Sequence, residues 1–250
     1  MTQPHNPLLG VLGGLGPMST VYFCELLTAH TQAACDSDHI DMIISSRATT
    51  PDRTAFILGK SGNDPLPVMI EEAQRLDRAG AELIVIPCNT AHYFYNGLAD
   101  RIGVPMLNII KETVLHLKSN GIKQFGLLAT EGTVRAGAYQ ALCRPEGLTC
   151  LTPDDTEQAV ISSVIYDAIK QHRPVNMAAF EEVVKALCAR GCERIVLGCT
   201  ELSLLKKQGL DDTLFTDSLE VLAYSTILAC GKTPSGFSTD FTCPAREADR

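Results

Sequence analysis

Short apolar runs rich in β-branched residues alternate with amphipathic stretches along most of the chain. The first run, residues 8–12, is followed by a glycine-rich turn at 13–16. Pro17 then suits the first turn of a helix, because its missing N–H would have no helical partner there. Strands that alternate with helices in this way are typical of parallel sheets covered by helices. The pattern therefore predicts an α/β fold.

The same pattern predicts the remaining elements. We predict strands at residues 8–12, 41–45, 83–86, 124–128, 194–197 and 214–215. We predict helices after the turn at 13–17, after the strand end 87–90 to about 102, and at 68–76, 154–171, 178–189 and 218–230. The polar segment 47–67 is rich in glycine and proline, and its length is typical of a functional loop. Residues 231–250 have no periodicity, so we expect a loose tail there.

Two pairs of segments repeat each other within the chain. Residues 79–88 align with 190–199 at a constant offset of 111, and a second alignment at an offset of 116 matches Gly10, Leu12 and Gly16 with Gly126, Leu128 and Gly132. Any two helix–strand units share apolar positions, but that does not explain a cysteine at the same strand end in both copies. We therefore predict a duplicated architecture.

The duplication predicts two similar Rossmann-like domains with parallel sheets, related by internal pseudo-symmetry. The first domain is predicted to comprise residues 1–112 and 213–230, the second residues 113–212, and the tail residues 231–250. Ligands of open parallel sheets bind outside the carboxyl ends of the strands. We therefore expect the active site in the cleft between the two domains.

Each predicted domain carries one thiol, Cys88 or Cys199, at the carboxyl end of a strand and just before a helix. A helix N-terminus favours an anion, so we expect the pKa values of these thiols to be lowered. A thiolate and a thiol on opposite faces of a tetrahedral carbon can remove a proton from one side and return one on the other. The matched pair therefore predicts racemisation without a cofactor.

Composition narrows the classes of partner. The 250 residues are 45% hydrophobic and 20% charged, which is ordinary for a globular protein. The formal net charge of −8 argues against nucleic acid as the main partner, since phosphate binding needs a basic surface. No apolar run has the length of a membrane span, and residues 1–7 lack the order of a signal peptide. We therefore expect a cytoplasmic protein that binds neither membranes nor nucleic acid.

Cysteines can also bind metals, form redox disulfides or act as nucleophiles. The ten cysteines form no C-x-x-C pair, so we expect most to be buried thiols in a reducing compartment, and we predict no metal site. A redox disulfide between Cys88 and Cys199 stays open, although redox pairs usually have C-x-x-C spacing. A nucleophilic Cys88 activated by His92 is a second alternative, but we expect His92 to be a solvated surface residue.

The turn that contains Gly14 lacks the dinucleotide-binding spacing G-x-G-x-x-G, because Ser19 stands at the third glycine position. Its backbone N–H groups can instead bind a small carboxylate, or the turn is purely structural.

Four segments together resemble the aspartate/glutamate racemase superfamily, and within it the aspartate racemases. They are GGLGP at residues 13–17, PDRT at 51–54, PCNTAH at 87–92 and GCTE at 198–201. Glutamate racemases typically open with Asp-Ser-Gly and have His after Gly-Cys-Thr, where this chain has Gly-Gly-Leu-Gly and Glu201. Hydantoin racemases and maleate isomerases share the plan of two cysteines, so chemistry and substrate are separate questions.

The resemblance implies two Rossmann-like domains, commonly in a homodimer, and a reaction without pyridoxal phosphate or another cofactor. It implies Cys88 and Cys199 as the two bases, and Arg53 and Lys170 as the cations that bind the carboxylates of a dicarboxylic amino acid. It also implies hydrogen-bond donors around the α-carboxylate and amine of the substrate: Asn89, Thr90, Thr130 and Thr200.

The residues by themselves support these roles unequally. An Arg offers a carboxylate a planar bidentate fork, and Arg53 lies in the long polar segment. Lys170 is near the end of a predicted helix, where the helix dipole favours a cation in any protein. Glu201 either caps its helix or binds the substrate amine.

Our leading hypothesis is racemisation of L-aspartate to D-aspartate, with a broader amino-acid racemase as a close variant. Hydantoin racemase or maleate isomerase chemistry on the same two thiols is the second hypothesis. A two-lobed protein that only binds a small acid is the third, but such a protein has no need of two reactive thiols.

Overall fold

The computed structural model describes residues 6–210, 213–238 and 241. The strands in this part of the chain are β1 (Leu9–Gly13), β2 (Met42–Ser46), β3 (Leu83–Val85), β4 (Gln124–Leu128), β5 (Thr149–Leu151), β6 (Arg194–Leu197) and β7 (Phe215–Asp217). The α-helices are α1 (Pro17–His30), α2 (Arg53–Ile57), α3 (Leu66–Arg78), α4 (Tyr95–Ala99), α5 (Ile109–Ser119), α6 (Glu131–Ala136), α7 (Ala138–Cys143), α8 (Asp155–Ser163), α9 (Met177–Ala189), α10 (Ser203–Lys206) and α11 (Ser218–Ala229).

The strands form two parallel sheets. The first sheet has the order β2-β1-β3 and the second the order β5-β4-β6-β7, and all neighbouring strands in both sheets are parallel. Strands β3 and β6 therefore occupy the same place in the two sheets, each beside the central strand. The predicted α/β fold with two parallel sheets is confirmed.

The register of the strands follows the sequence repeat. Gly10 of β1 lies opposite Ile84 of β3, and Gly126 of β4 lies opposite Ile195 of β6. A Cβ on Gly10 would lie 3.2 Å from Cγ1 of Ile84, and one on Gly126 would lie 2.8 Å from Cδ1 of Ile195. Glycine therefore serves the same close packing in both sheets.

A pair of glutamates repeats as well. Glu82 Oε1 accepts a hydrogen bond of 3.2 Å from the backbone N–H of Leu8, and Glu193 Oε1 accepts one of 2.9 Å from that of Gln124. Each carboxylate thus binds the start of the central strand of its own sheet. The repeat is therefore structural and extends to individual hydrogen bonds.

One apolar core connects the two halves. Buried side chains from β1, including Leu9 and Val11, belong to the same cluster as Phe125 and Leu127 of β4 and Leu222 of α11. Helix α11 packs against α1 and against α5. This shared core sets the relative position of the two sheets.

The last strand differs from the sequence-based division into domains. That division assigned residues 213–230 to the first half, but β7 pairs with β6 in the second sheet. Helix α11, which follows directly, packs against α1 of the first half as well as α5. The segment therefore contributes to both halves, because a short strand pairs with the open sheet edge nearest to it.

The predicted loose tail is partly packed. The backbone N–H of Ser235 donates to the carbonyl of His30 at 2.8 Å, and the ring of Phe237 stacks on that of His30 with centroids 4.2 Å apart. The prediction is therefore wrong for residues 231–238, where a periodicity-free segment is held by aromatic packing. Residues 239–240 and 242–250 lie outside the described part of the chain.

Two helices and one loop of the structure also differ from the sequence-based prediction. The loop at 47–67 contains α2, whose first turn is capped by Asp52, since Asp52 Oδ1 accepts from the N–H of Ala55 at 2.7 Å. The helix predicted after the strand end 87–90 begins as the 3₁₀ turn Thr90–Phe94 and continues as α4, which ends at Ala99 instead of near residue 102. Ahead of it, the N–H of Cys88 donates to the carbonyl of Ile86 at 2.8 Å.

The helix predicted at 154–171 is divided into three parts. Helix α8 is followed by the π-helical segment Val164–Ala168 and a 3₁₀ turn at Ile169–Gln171. Such π-helical segments are often found at functional sites. Among the described residues, no helix combines the length and the apolar character needed to cross a bilayer.

Candidate active site

Cys88 and Cys199 line the same cavity. Cys88 follows β3 and Cys199 follows β6, so each thiol lies at the carboxyl end of the equivalent strand of its own sheet. Both residues are buried, with 6% and 4% of their surface exposed. The predicted meeting of two thiols in one cleft is thus present in the structure.

Most predicted site residues meet in this cavity. Gly14 is the exception; the others that line it are Arg53, Cys88, Asn89, Thr90, Thr130, Lys170, Cys199, Thr200 and Glu201. Sequence reasoning did not name four further lining residues: Leu15, Asp52, Thr54 and Tyr166. The first three lie inside the GGLGP and PDRT segments. No sequence pattern pointed to Tyr166, because its position depends on the π-helical segment.

Gly14 shapes the turn after β1 and does not line the cavity. Its N–H donates to Thr20 Oγ1 at 2.9 Å and therefore is not free for a ligand. Its φ of 84° is in the left-handed region, and a Cβ there would lie 2.5 Å from backbone atoms of Arg47. The structural interpretation of this turn is thus the better one for Gly14.

His92 connects the Cys88 loop to the start of α5. Its Nδ1 lies 2.8 Å from the carbonyl oxygen of Cys88, and its Nε2 accepts from the N–H of Ile109 at 3.2 Å. Nδ1 is therefore the donor and the imidazole is neutral; burial lowers its pKa to about 4. Our expectation of a solvated His92 is wrong. Since both ring nitrogens are engaged, His92 is not available as a base for Cys88.

Asn89 is held in a fixed orientation. Its Nδ2 donates to Ser218 Oγ at 2.9 Å, and the hydroxyl of Tyr139 donates to its Oδ1 at 2.7 Å. Neither Ser218 nor Tyr139 was predicted from the sequence, because their contacts with Asn89 span 129 and 50 positions. The amide is thereby preorganised next to Cys88.

Three threonine hydroxyls connect the two halves beside the cavity. Thr90 Oγ1 lies 2.9 Å from Oγ1 of Thr130 and 2.9 Å from that of Thr133, and the last two are 3.0 Å apart. Thr130 also caps α6 by accepting from the N–H of Thr133. Thr133, which sequence reasoning missed, completes this contact between the Cys88 loop and the end of β4.

Arg53 is a buried cation that contacts backbone carbonyls. Only 8% of it is exposed. Its Nη1 donates to the carbonyls of Thr50 and Pro51 at 3.2 and 3.0 Å, and its Nη2 donates to that of Leu15 at 3.0 Å. Within the described residues its Nε has no partner and no carboxylate forms a salt bridge with it. Because a buried charge is costly without a counter-ion, this guanidinium suits an anionic ligand.

Glu201 contacts both a thiol and a cation. Cys199 Sγ donates to its Oε2 at 2.9 Å, and Lys170 Nζ lies 3.2 Å from its Oε1. Lys170 Nζ also lies over the ring of Tyr166, 5.0 Å from the centroid. The side chain of Glu201 thus pairs with groups of the cavity instead of capping its helix.

Gly16 makes room for this arrangement. A Cβ at Gly16 would lie 2.6 Å from Glu201 Oε1. Its counterpart in the repeat, Gly132, has the same function in the other half, since a Cβ there would lie 2.9 Å from Cα of Thr54. Each half therefore presents a glycine to a cavity-lining residue of the opposite half.

The pKa values of the two thiols are raised. Burial raises the pKa of Cys88, with the Arg53 charge opposing and the Glu201 charge adding. Burial and then the Glu201 charge raise the pKa of Cys199 well above its usual range, and the Lys170 charge opposes this shift. Our expectation of lowered pKa values is therefore wrong. Loss of water around the sulfurs outweighs any helix dipole.

Comparison with known proteins identifies the family. The model of the family described as Asp/Glu/hydantoin racemase matches residues 12–226. A broad specificity amino-acid racemase of Bacillus subtilis (strain 168) is 28% identical in an alignment of 228 positions that covers 88% of this chain and 96% of that protein.

Solved structures show the same similarity. The structure of Picrophilus torridus aspartate racemase superposes with a TM-score of 0.81 at 28% identity and covers 92% of this chain and 96% of that one. The structure of glutamate racemase of Francisella tularensis in complex with D-glutamate superposes with a TM-score of 0.60 at 17% identity and covers 89% of this chain and 81% of that one. At this identity the similarity shows a shared fold only. The chain therefore belongs to the Asp/Glu/hydantoin racemase family and is an isomerase of the amino-acid racemase type.

Proposed function

We propose that the chain inverts the α-carbon of an amino acid with Cys88 and Cys199 as the two bases and without a cofactor. One observation carries the proposal: two buried thiols, each at the carboxyl end of the equivalent strand, line the same cavity between the pseudo-symmetric halves. One thiolate removes the α-proton, and the thiol on the other face returns a proton to the carbanion. The centre is thereby inverted.

Arg53 is the proposed partner of the substrate α-carboxylate. Its guanidinium is buried, has a free Nε within the described residues, and belongs to the cavity that contains both sulfurs. A carboxylate bound there would compensate the buried charge. The proposed donors near it are Asn89, Thr90 and Thr130. Thr200 is not among them, because its hydroxyl donates to the carbonyl of Pro87.

Aspartate is the leading substrate. It is supported by the PDRT and GCTE segments, which resemble those of aspartate racemases, and by two cations in the cavity, Arg53 and Lys170. In this interpretation Arg53 binds one carboxylate and Lys170 the other.

A broader amino-acid racemase is the second candidate, and one contact favours it. Lys170 is already paired with Glu201 at 3.2 Å, whereas Arg53 has no carboxylate partner among the described residues. A single uncompensated cation suits an amino acid with one carboxylate, and Glu201 then suits its ammonium group. The broad specificity of the Bacillus subtilis relative is consistent with this candidate.

Incubation with single enantiomers in heavy water tests the proposal. The purified protein, without added cofactor, is expected to convert L-aspartate to D-aspartate that carries deuterium at Cα. Substitution of either thiol, Cys88→Ser or Cys199→Ser, is expected to abolish racemisation. A panel of glutamate, neutral amino acids, a hydantoin and maleate separates the candidates. Failure to exchange the α-hydrogen of aspartate, of glutamate, of the neutral amino acids and of the hydantoin, or full turnover in either variant, would refute the two-thiol proposal.

We also propose a cytoplasmic homodimer. Apolar side chains on α1 support a contact between copies, since Met18 and Val21 are 49% and 58% exposed. Analytical ultracentrifugation of the protein and of a Val21→Glu variant tests the dimer. We expect the wild type at twice the chain mass of 27.0 kDa and the variant shifted toward monomer.

A further inference from the structure

We infer that Glu201 is a positioning residue that keeps the proton on Cys199 and so makes Cys88 the thiol that acts first as the base. The inference rests on the proposed two-thiol function and adds an order to it. Glu201 makes the half-site of Cys199 differ from that of Cys88, although the repeat makes the two similar in other respects.

Cys199 donates a hydrogen bond to Glu201. Sγ and Oε2 are 2.9 Å apart, and both groups are buried, with 4% and 6% of their residues' surface exposed. A thiolate and a carboxylate are both acceptors, so this contact exists only while a proton lies between them. Two anions at such a distance with little water would repel each other strongly.

The carboxylate of Glu201 has no counterpart in the other copy of the repeat. The residue two places after Cys199 is Glu201, and the residue two places after Cys88 is Thr90. The Thr90 hydroxyl is engaged with the hydroxyls of Thr130 and Thr133 and carries no charge. The two half-sites therefore differ by one negative charge at the same place.

The other charges also differ between the two thiols. Around Cys199 the charged or titratable groups are Glu201, the Lys170 ammonium and the Tyr166 hydroxyl. Burial raises the pKa of Tyr166 to about 12, so Tyr166 stays neutral near pH 7. Around Cys88 the groups are Arg53, which favours a thiolate, Glu201, which opposes it, and Lys170, which favours it. The largest charge effect therefore favours a thiolate at Cys88, where it comes from Arg53, and opposes a thiolate at Cys199, where it comes from Glu201.

This arrangement gives the reaction a defined order of proton transfers. In the active form Cys88 is a thiolate and Cys199 a thiol. Cys88 takes the α-proton of one enantiomer, and Cys199 gives its proton to the opposite face of the carbanion. The product leaves with Cys88 as thiol and Cys199 as thiolate. Cys88 then releases a proton to solvent, and Cys199 takes one up and restores its bond to Glu201, so that no net proton is consumed.

Alkylation of each cysteine as a function of pH tests the inference. The whole wild-type protein is treated with iodoacetamide, and the extent of labelling at each cysteine is read by peptide mass spectrometry. Because only the thiolate reacts and the two residues are similarly buried, the midpoint of the pH profile reports the proton on each sulfur. We expect the midpoint of Cys199 to lie above that of Cys88.

Glu201→Gln is the decisive variant, since it keeps the shape and removes the charge. We expect the Cys199 midpoint to fall by about one pH unit, which is about a tenfold faster labelling at fixed pH, and the Cys88 midpoint to move less. Lys170→Met is expected to move the Cys199 midpoint upward, because the compensating cation is lost. Glu182→Gln on the exposed surface of α9 is the matched control and is expected to change neither.

Two results would overturn the inference: equal midpoints for the two thiols in the wild type, or an unchanged Cys199 midpoint in Glu201→Gln. The Cys88 profile, measured in the same samples, reports whether each variant is folded. Racemase activity is measured separately. If no amino acid is racemised while the Cys199 midpoint still depends on Glu201, then the proposed function fails and the positioning role of Glu201 is retained.

Discussion

Thr200 Oγ1 donates a hydrogen bond of 3.2 Å to the carbonyl oxygen of Pro87 and thereby connects the two cysteine loops directly. Pro87 precedes Cys88 and Thr200 follows Cys199, so this single bond joins the two chain segments that carry the sulfurs. Both partners are buried. A reaction with two bases needs a fixed distance between them, and this bond helps to set it.

Thr200→Val removes this bond and nearly preserves the volume of the side chain. We expect the free energy of unfolding to fall by about 1 kcal/mol, because a buried carbonyl loses its donor. We expect kcat to fall about tenfold, since a small displacement of a catalytic group is costly. Denaturant unfolding and steady-state kinetics measure the two effects.

Thr226→Val in α11 is the matched control for this prediction. Thr226 Oγ1 donates to the carbonyl of Leu222, and Thr226 is fully buried away from the cavity. We expect a smaller loss of stability, because the Leu222 carbonyl lies inside α11 and keeps its helical N–H donor, and an unchanged kcat. If both variants lose kcat equally, then the bond between Thr200 and Pro87 has no specific role in positioning.

Arg53→Gln is expected to lower kcat/KM about 100-fold, because the substrate carboxylate loses its buried partner. Arg53→Lys is not expected to restore activity, since an ammonium group cannot reproduce the contacts that both terminal nitrogens make with backbone carbonyls. Steady-state kinetics with the best substrate measures both variants. The control is Arg135→Gln, whose side chain is 63% exposed. Equal kcat/KM in Arg53→Gln and Arg135→Gln would contradict the assignment of Arg53.

Gly16→Ala is expected to reduce kcat at least about tenfold without a change in fold. The new Cβ would lie 2.6 Å from Glu201 Oε1, so the carboxylate must move away from Cys199 and Lys170. Gly62→Ala is the control, because nothing lies within 4 Å of a Cβ there. The kinetics of both variants, with circular dichroism of each, test this; unchanged kcat in Gly16→Ala would show that the position of Glu201 is not critical.

His92 makes the stability of the protein depend on pH. Its pKa is lowered to about 4 in the folded state from 6.5, so the unfolded chain binds a proton first as the pH falls. The contribution is present above pH 6.5 and is lost between about pH 6.5 and 4. It amounts to about 3 kcal/mol. Burial raises the pKa of Asp217, which acts in the opposite sense over this range.

The difference between wild type and His92→Phe isolates this contribution. Urea unfolding from pH 7 to pH 4 is expected to give a steeper loss of stability in the wild type than in the variant. His172→Phe at an exposed position is the control and is expected to follow the wild type. Parallel curves for wild type and His92→Phe would contradict the neutral, buried state of His92.

Much of the site was predictable because the information is local or repeated. Cys88 and Cys199 were found from the alignment of two segments of the same chain, and the register of β3 and β6 follows that alignment. Arg53 was found from its motif in a polar segment. A strand end and the residues that follow it are set by neighbours in sequence, so their place at a sheet edge can be read from the pattern.

Other features depend on residues far apart in the chain. Whether His92 is solvated or buried depends on α5, which packs over it, and the identity of Tyr166 as a cavity residue depends on a π-helical segment. The pairing of β7 with β6 depends on which sheet edge is open. None of these is encoded in a periodicity of one segment.

The sequence by itself determined the duplicated α/β architecture and the two thiols at equivalent strand ends, because each is a property of a short segment or of its copy. Only the tertiary structure decided the direction in which the pKa values of the thiols shift and the partners of Glu201. The physical reason is desolvation: the pKa of Cys88 or Cys199 depends on how completely the packed halves exclude water and on the charges of Arg53, Lys170 and Glu201.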